Sequence, residues 1–343
     1  MDLIAPDAVH DLAARVAAAE RVVPVGGRTH WEVGGVPGPG SEVTAPAGVL
    51  AYDPAELTVT VGAGTSVADL DALLATAGQE CGLDPRSANA TVGGVLATGL
   101  SGPRRLRYGP VRDTVLEIRG VTADGRVVKG GGPTVKNVSG YDLPRLFVGS
   151  FGTLGVLVQA TLRCRPKPPA TRWFVADDPL AANPAAAPDA VRTRLFRPSS
   201  LLWDGRRTHV LLEGHPDDVE AEAVAAGLHA AEGPPAWPDG PCRGRISVDP
   251  SRLRDVVGAL STVDGPTFLA EIGVGTVHVA TPDPDRLAAA RVRAHAHGGW
   301  LLREAGAPAL DGWGRSFPNT ALQRRIRDAF DPTRKLAPGR VPG

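Results

Sequence analysis

Ala90-Thr91-Val92-Gly93-Gly94-Val95-Leu96-Ala97-Thr98-Gly99-Leu100-Ser101-Gly102, followed shortly by Arg107-Tyr108-Gly109-Pro110-Val111-Arg112-Asp113, is the stretch whose reading decides the fold. Small residues, glycines and hydroxyls are packed too densely here for an amphipathic helix or an alternating strand. Glycine leaves the backbone bare, because no Cβ stands between the chain and whatever lies against it. The stretch is therefore expected to run along something flat and polar, and a bound cofactor is the natural candidate.

Upstream, Arg21-Val22-Val23-Pro24-Val25 reads as a short buried strand that runs directly into Gly26-Gly27-Arg28-Thr29. A glycine pair at a strand end exposes backbone N–H groups in a concavity that suits an anion such as a pyrophosphate. An ordinary tight turn explains the same residues. Leu57 to Val61 reads as another strand, and Ser66 opens a helix with Leu70, Leu73 and Leu74 on one face. Between them, Gly62-x-Gly64-x-x-Val67 with Asp84 further on imitates a dinucleotide-binding fingerprint. Val67 stands where close helix–strand packing wants Gly or Ala, and no repeated crossover units flank it, so the fingerprint is set aside.

Downstream, two apolar runs around Asp124-Gly125 predict a hairpin. Lys136-Asn137-Val138-Ser139-Gly140-Tyr141-Asp142-Leu143 and Gly149-Ser150-Phe151-Gly152-Thr153-Leu154-Gly155 form a second small-residue region, which passes into a strand from Val156 to Leu162. Val9 to Ala19 reads as a helix. Adjacent prolines in Arg165-Pro166-Lys167-Pro168-Pro169 can continue neither helix nor central strand, so one domain is expected over 1–168 and another over 169–343. In the second, Asp178 to Pro188 reads as a loop. Strands are expected at Thr208–Glu213, Gly273–Ala280 and Trp300–Arg303, and helices at Asp217–Ala231, Asp249–Leu260, Asp285–His295 and Asn319–Phe330. That order suggests an antiparallel sheet with helices on one face.

Lysine plus arginine equals aspartate plus glutamate, 37 each in 343 residues. Such a balance gives neither a nucleic-acid-binding nor a basic membrane-surface footprint. The Arg104-Arg105-Leu106-Arg107 cluster fits a solvated face or a nearby anionic ligand equally. Cys81, Cys164 and Cys242 lie far apart, which provides no zinc, iron–sulfur or disulfide framework and suits a cytoplasmic protein. The acidic N-terminal residues resemble no signal peptide, and no run of about 20 apolar residues is present to insert in a membrane.

Taken together, the glycine-rich segments resemble the FAD-binding oxidoreductases of the vanillyl-alcohol oxidase or p-cresol methylhydroxylase (PCMH) type, over roughly residues 20–165. The anchors are Pro24-Val25-Gly26-Gly27-Arg28-Thr29, Ala90-Thr91-Val92-Gly93-Gly94, Arg107-Tyr108-Gly109 with Arg112-Asp113, Gly140-Tyr141-Asp142-Leu143 and Gly149-Ser150-x-Gly152-Thr153-Leu154-Gly155. The closing Phe330-Asp331-Pro332 and Pro338-Gly339-Arg340, with Phe151, is similar to the smaller FAD-binding subunit of bacterial glycolate oxidases. That resemblance implies an α+β fold: a two-part PCMH-type FAD domain, then a smaller α+β cap with an antiparallel sheet and a tail returning towards the FAD domain. It implies FAD as cofactor, a small 2-hydroxy acid as substrate, and a larger FAD subunit and an iron–sulfur subunit as partners, through which a membrane could be reached.

Carried over by motif, Pro24, Gly26, Gly27, Arg28 and Thr29 would cradle the pyrophosphate, with Thr91, Gly93, Gly94 and Thr98 opposite. Pro85, Gly99 and Gly102 would approach the ribityl chain or the ring. Tyr108, Gly109 and Asp113 would complete the wall, and Gly152, Gly155 and Val156 the ribityl–adenine side. Three departures stand out. Arg28 replaces the histidine that often anchors FAD covalently, so non-covalent binding is expected; Phe151 replaces a carboxylate; and Ala337 replaces an asparagine. His278 on a strand facing the cap interior is the nominee for general base, although a hydrogen-bonded core histidine fits the same position. His295 and His297 at i, i+2 point about 200° apart on a helix and cannot share a metal, so no metal site is expected. Arg303-Glu304 reads as a surface or structural pair. Two other functions fit: an assembly subunit that holds FAD without catalysis, and a flavin reductase like UDP-N-acetylenolpyruvoylglucosamine reductase.

Overall fold

The computed structural model describes residues 6–132, 142–177, 187–262, 265–314 and 319–341. Alternating β-branched residues in Thr58-Val59-Thr60-Val61 build one strand of a five-stranded antiparallel sheet. The spatial order of that sheet is Val49–Asp53, Thr58–Gly62, Val156–Arg163, Val115–Val121 and Val127–Gly131. Val156–Arg163 is central and buried on both faces except at Arg163. The hairpin from Val115 to Gly131 turns at Gly125, whose φ of 82° is the left-handed conformation glycine tolerates. Because all of its pairings are antiparallel, the sheet contains no βαβ crossover, and the fingerprint around Gly62 and Gly64 has no structural counterpart.

The opening stretch departs from its reading. Val92–Thr98 is a helix, capped by Thr91, whose Oγ1 accepts from the Gly94 N–H at 3.2 Å, and ended by Gly99 at φ 65°. The helix is so short that one apolar face needs only Val92, Val95 and Leu96, which are fully buried with Leu70 and Phe147. Its remaining residues are small, so its other side is bare. A Cβ on Gly93 would come within 2.8 Å of the Ala63 Cβ, which is why this side admits no larger residue. Lys136 to Tyr141 lie outside the described residues. Asp142 caps the helix Leu143–Phe147 by accepting from the Arg145 N–H at 3.1 Å.

Ala170 begins the first strand of an eight-stranded antiparallel sheet, ordered His229–Ala230, Ala170–Asp177, Arg207–Gly214, Ser200–Trp203, Thr267–Glu271, Thr276–Thr281, Cys242–Ser247 and Trp300–Ala305. Residues alternate across a strand. Val277, Val279, Val210, Leu212 and Ile246 go into the apolar core with Val219, Val256 and Leu287 from the helices Pro216–Ala225, Leu253–Leu260 and Pro284–Ala296. The intervening residues, among them Glu213, Arg245, His278 and Glu271, occupy the opposite face. The helix after His215 is shorter than the sequence suggests. It stops at Ala225, because Gly227 at φ 68° turns the chain back to form the strand His229–Ala230. Most of the loop expected over Asp178 to Pro188 is outside the described residues, and Ala187–Arg192 is helical.

Three features join the two sheets. Arg104 is clasped by Glu80 at 2.8 Å, Asp84 at 2.5 Å and Glu213 of the eight-stranded sheet at 3.1 Å, while the Tyr108 hydroxyl donates to Glu213 at 3.0 Å. The arginine cluster therefore contains a half-buried structural cation. Phe151, Val33, Leu100 and Trp313 pack with Leu302 in a small apolar core, with the rings of Phe151 and Trp313 at 5.0 Å. The C-terminal segment returns: Ala337 N–H donates to Val22 O at 2.8 Å, and the Arg340 guanidinium donates to the carbonyls of Trp31, Val33 and Gly35 at 2.8, 3.0 and 2.6 Å.

Candidate functional site

A continuous cleft runs where the glycine turn meets the bare side of the Val92–Thr98 helix. Two adjoining concavities share Pro24, Gly26, Gly94, Ala97 and Gly152. Gly27, Arg28, Thr29 and Thr98 extend it in one direction, and Thr91, Gly93, Gly155 and Val156 in the other. Residues nominated from segments far apart in the chain thus line one surface. The N–H groups of Gly27, Arg28 and Thr29 make no hydrogen bond among the described residues, which leaves a row of donors at the strand end. Arg28 sits at φ 55° and its guanidinium reaches Glu42 at 2.5 Å and lies over the Trp31 ring. Its positive charge is thus partly spent beside the turn.

Other nominees lie off this cleft. Gly99 ends the helix. Gly102 packs over Asp84, and Pro85 follows that aspartate, which Arg104 holds. Tyr108 points to Glu213, and Gly109 at φ 79° lies against Asp113, which is exposed beside Arg145. Tyr108, and Gly102 and Pro85 through Asp84 and Arg104, adjoin the joint between the sheets. Phe151 explains its own departure from the family pattern: it packs on Trp313 and Leu302 while one face borders the cleft.

The cleft fits a dinucleotide such as FAD because its narrowest points are glycines that nothing larger can replace. A Cβ on Gly26 would lie 2.3 Å from Thr91 Oγ1, and one on Gly27 only 1.7 Å from the Asn89 carbonyl oxygen. Gly27→Ala is expected to push the turn away from Asn89, at a cost of about 1–3 kcal/mol. Isothermal titration of the variant with FAD should show affinity about tenfold or more weaker than wild type.

Beyond one end of the cleft stands a polar cluster on the free face of the eight-stranded sheet. His278 is 4% exposed, and its Nε2 lies 2.6 Å from Glu271 Oε1. A carboxylate only accepts, so the imidazole donates from Nε2 and presents its Nδ1 lone pair elsewhere. Arg245 is directly opposite His278 on the neighbouring strand. Glu304 accepts both Arg86 bonds, at 2.9 and 3.1 Å, across 218 residues. Burial pushes the Glu304 carboxyl up, but Arg86, His278 and Arg245 outweigh it and hold it below the usual range. Trp237 meets the His278 ring edge-on at 4.7 Å and lies under the Arg86 guanidinium at 4.8 Å. Arg303 and Glu304 are both buried, on opposite faces of their strand, which corrects the surface reading. His295 Nε2–H donates to the Gly314 carbonyl, 2.7 Å away. Among the described residues no three His, Cys, Asp or Glu side chains gather as a metal site.

His30 connects the cluster to the cleft, since it lines the cleft and lies in the field of Glu304, Arg86, Arg245 and Arg340. Burial lowers its pKa to about 4, from 6.5. Between those values the unfolded chain binds a proton that the folded chain excludes, so stability is complete above pH 6.5 and declines as pH falls to 4. Melts of the FAD-free chain should lose about 3 kcal/mol over that window, and His30→Phe should remove the loss.

Neither His30 nor Arg245, Arg86, Glu271 or Trp237 was nominated from the sequence. Only the alternation of Arg243, Arg245 and Ser247 against buried Cys242, Gly244 and Ile246 carried a signal.

A cleft of bare backbone facing a polar sheet, built on these antiparallel sheets, matches the fold of the PCMH-type FAD-binding proteins. Residues 3–131 match the FAD binding domain family, and FAD is the cofactor. The chain is 44% identical over 132 residues to glycolate oxidase subunit GlcE of Escherichia coli (strain K12), covering 38% of each chain. It is 40% identical over 155 residues to a D-lactate dehydrogenase of Archaeoglobus fulgidus, covering 44% of this chain and 35% of that one. A D-2-hydroxyglutarate dehydrogenase of Xanthomonas citri pv. viticola is 35% identical over 232 residues, 63% of this chain and 48% of its own length. The chain thus matches less than half the length of each of these relatives. In fold it is similar to alkyldihydroxyacetonephosphate synthase, with a TM-score of 0.69 at 16% identity over 97% of this chain and 75% of that one. No helix among the described residues is long and apolar enough to cross a membrane.

Proposed function

We propose that the chain is an oxidoreductase subunit that oxidises a small 2-hydroxy acid of the glycolate or D-lactate kind, with non-covalent FAD as the hydride acceptor. The observation that carries this reading is the His278–Glu271 pair, which lies beside Arg245 on the sheet face that borders the cleft through His30. Bound FAD supplies two-electron acceptance at its ring. Gly26 to Thr29 hold the pyrophosphate with backbone donors, while Thr91, Gly94 and Gly152 keep the opposite wall close. His278 takes the hydroxyl proton at Nδ1 while Glu271 steadies the imidazole and balances its charge. Phe151, Leu302 and Trp313 exclude water from one side. The likeness to a glycolate oxidase subunit supports work within a complex, and the partners proposed, as the sequence resemblance implies, are a larger FAD subunit and an iron–sulfur subunit.

The test is an anaerobic absorption spectrum of the FAD-reconstituted chain titrated with glycolate and D-lactate. Bleaching of the flavin bands by either supports the reading. If only NADPH bleaches them, the chain is a flavin reductase; if no reductant does until partner subunits are added, it holds FAD for a complex. Either result overturns the role given to His278.

A further inference from the structure

Buried polar atoms without partners are rare, and each points to a missing group. Four such atoms gather in the cluster: His30 Nδ1, Arg245 Nε, Glu271 Oε2 and His278 Nδ1. Arg245 is the most exacting. It makes no ion pair or hydrogen bond among the described residues, although Glu271 and Glu304 lie within its field. Glu304 is already engaged by Arg86, and Glu271 by His278 through Oε1 alone. Arg245 is half-buried with its Nε withdrawn from water, a position that calls for an acceptor, and the guanidinium fork matches a carboxylate with two parallel bonds. Opposed residues on antiparallel strands have Cβ atoms about 5 Å apart. That separation lets one small molecule offer a carboxylate to Arg245 and the hydroxyl on the adjacent carbon to His278.

The remaining substituent on that carbon meets Trp237. The indole is braced by the His278 ring on one side and the Arg86 guanidinium on another. It also stands in a connection carrying Pro234, Pro235, Pro238 and Pro241, whose fixed φ angles restrict its retreat. We propose that Arg245 receives the single carboxylate of the substrate and that Trp237 sets a size limit at the adjacent carbon, so that the site takes hydrogen or methyl there and rejects longer chains. This deepens the proposed function and rests on it for the hydroxyl contact with His278.

The experiment uses the full chain reconstituted with FAD and reads flavin absorbance. Oxalate serves as an unreactive probe, and glycolate and 2-hydroxyvalerate as small and large hydroxy acids, whose binding spectra are recorded whether or not they turn over. Arg245→Gln should weaken oxalate by about 30-fold or more, and Arg245→Lys by less. Trp237→Ala should improve 2-hydroxyvalerate relative to glycolate by about tenfold, with oxalate affinity retained, while Trp237→Phe keeps the wild-type ranking. Unchanged oxalate affinity in Arg245→Gln, an unchanged ranking in Trp237→Ala, or no oxalate response in the wild type overturns the proposal. Arg245-dependent oxalate binding without any flavin bleaching by hydroxy acids would remove the proposed oxidation but leave the anion site. Bleaching with unaltered behaviour in Arg245→Gln would do the reverse.

Discussion

His278→Gln is expected to slow reduction of the bound flavin by glycolate or D-lactate about a thousandfold, with FAD affinity unchanged, in anaerobic stopped-flow mixing. Glutamine retains a donor for Glu271 but lacks a basic nitrogen, so the substitution isolates proton removal from packing. His278 lies on the sheet face and outside the cleft-lining residues, which is why cofactor binding should be spared. Glu271→Gln should give a smaller loss, because the imidazole then lacks a fixed tautomer and a counter-charge. Equal rates in wild type and His278→Gln would remove the residue from the reaction and leave it a buried structural histidine.

The second large effect concerns stability. Arg104→Met is expected to cost about 3–5 kcal/mol, because Glu80, Asp84 and Glu213 would then be left facing one another without the cation. The Glu213 side chain is fully buried, which denies it water in compensation, while those of Glu80 and Asp84 are half-buried. Urea unfolding followed by tryptophan fluorescence should show the midpoint fall. Since Glu213 belongs to the eight-stranded sheet and the other two carboxylates to the segment before Arg104, a split transition would mean that the two sheets had uncoupled. A loss below 1 kcal/mol would mean that the three carboxylates relax to solvent instead.

Where structure is decided within a few residues, the sequence was readable. Ser66 caps its helix, Asp124-Gly125 turns its hairpin, and the three strands and four helices read after Pro169 are present, whereas Ala170–Asp177, Ser200–Trp203, His229–Ala230, Cys242–Ser247 and Thr267–Glu271 were not read as strands. The glycine turn and the bare stretch were also legible as a ligand surface, because residues too small to fill a core need another reason to be there. The Val92–Thr98 helix escaped notice since three apolar residues suffice to bury it, and a pattern that short resembles no period. The polar cluster was illegible for a different reason: Arg86 meets Glu304, and Arg245 meets His278, only after the long connections between their strands are closed. Tyr108 and Asp113 show the converse: their motif is local, but Tyr108 finds its partner, Glu213, across the joint between the sheets, while Asp113 pairs with the exposed Arg145.

The returning C-terminal segment bears on the order of events during synthesis. Leu336 pairs beside Val22, and Arg340 ties down the carbonyls of residues 30–35, so the loop that follows the glycine turn is secured by residues translated some three hundred positions later. The whole eight-stranded sheet leaves the ribosome before the cofactor cleft acquires its last wall. A nascent chain that has reached only residue 305 would hold both sheets and still lack the clasp, so the loop after the glycine turn is secured only once residues 336–340 have been added.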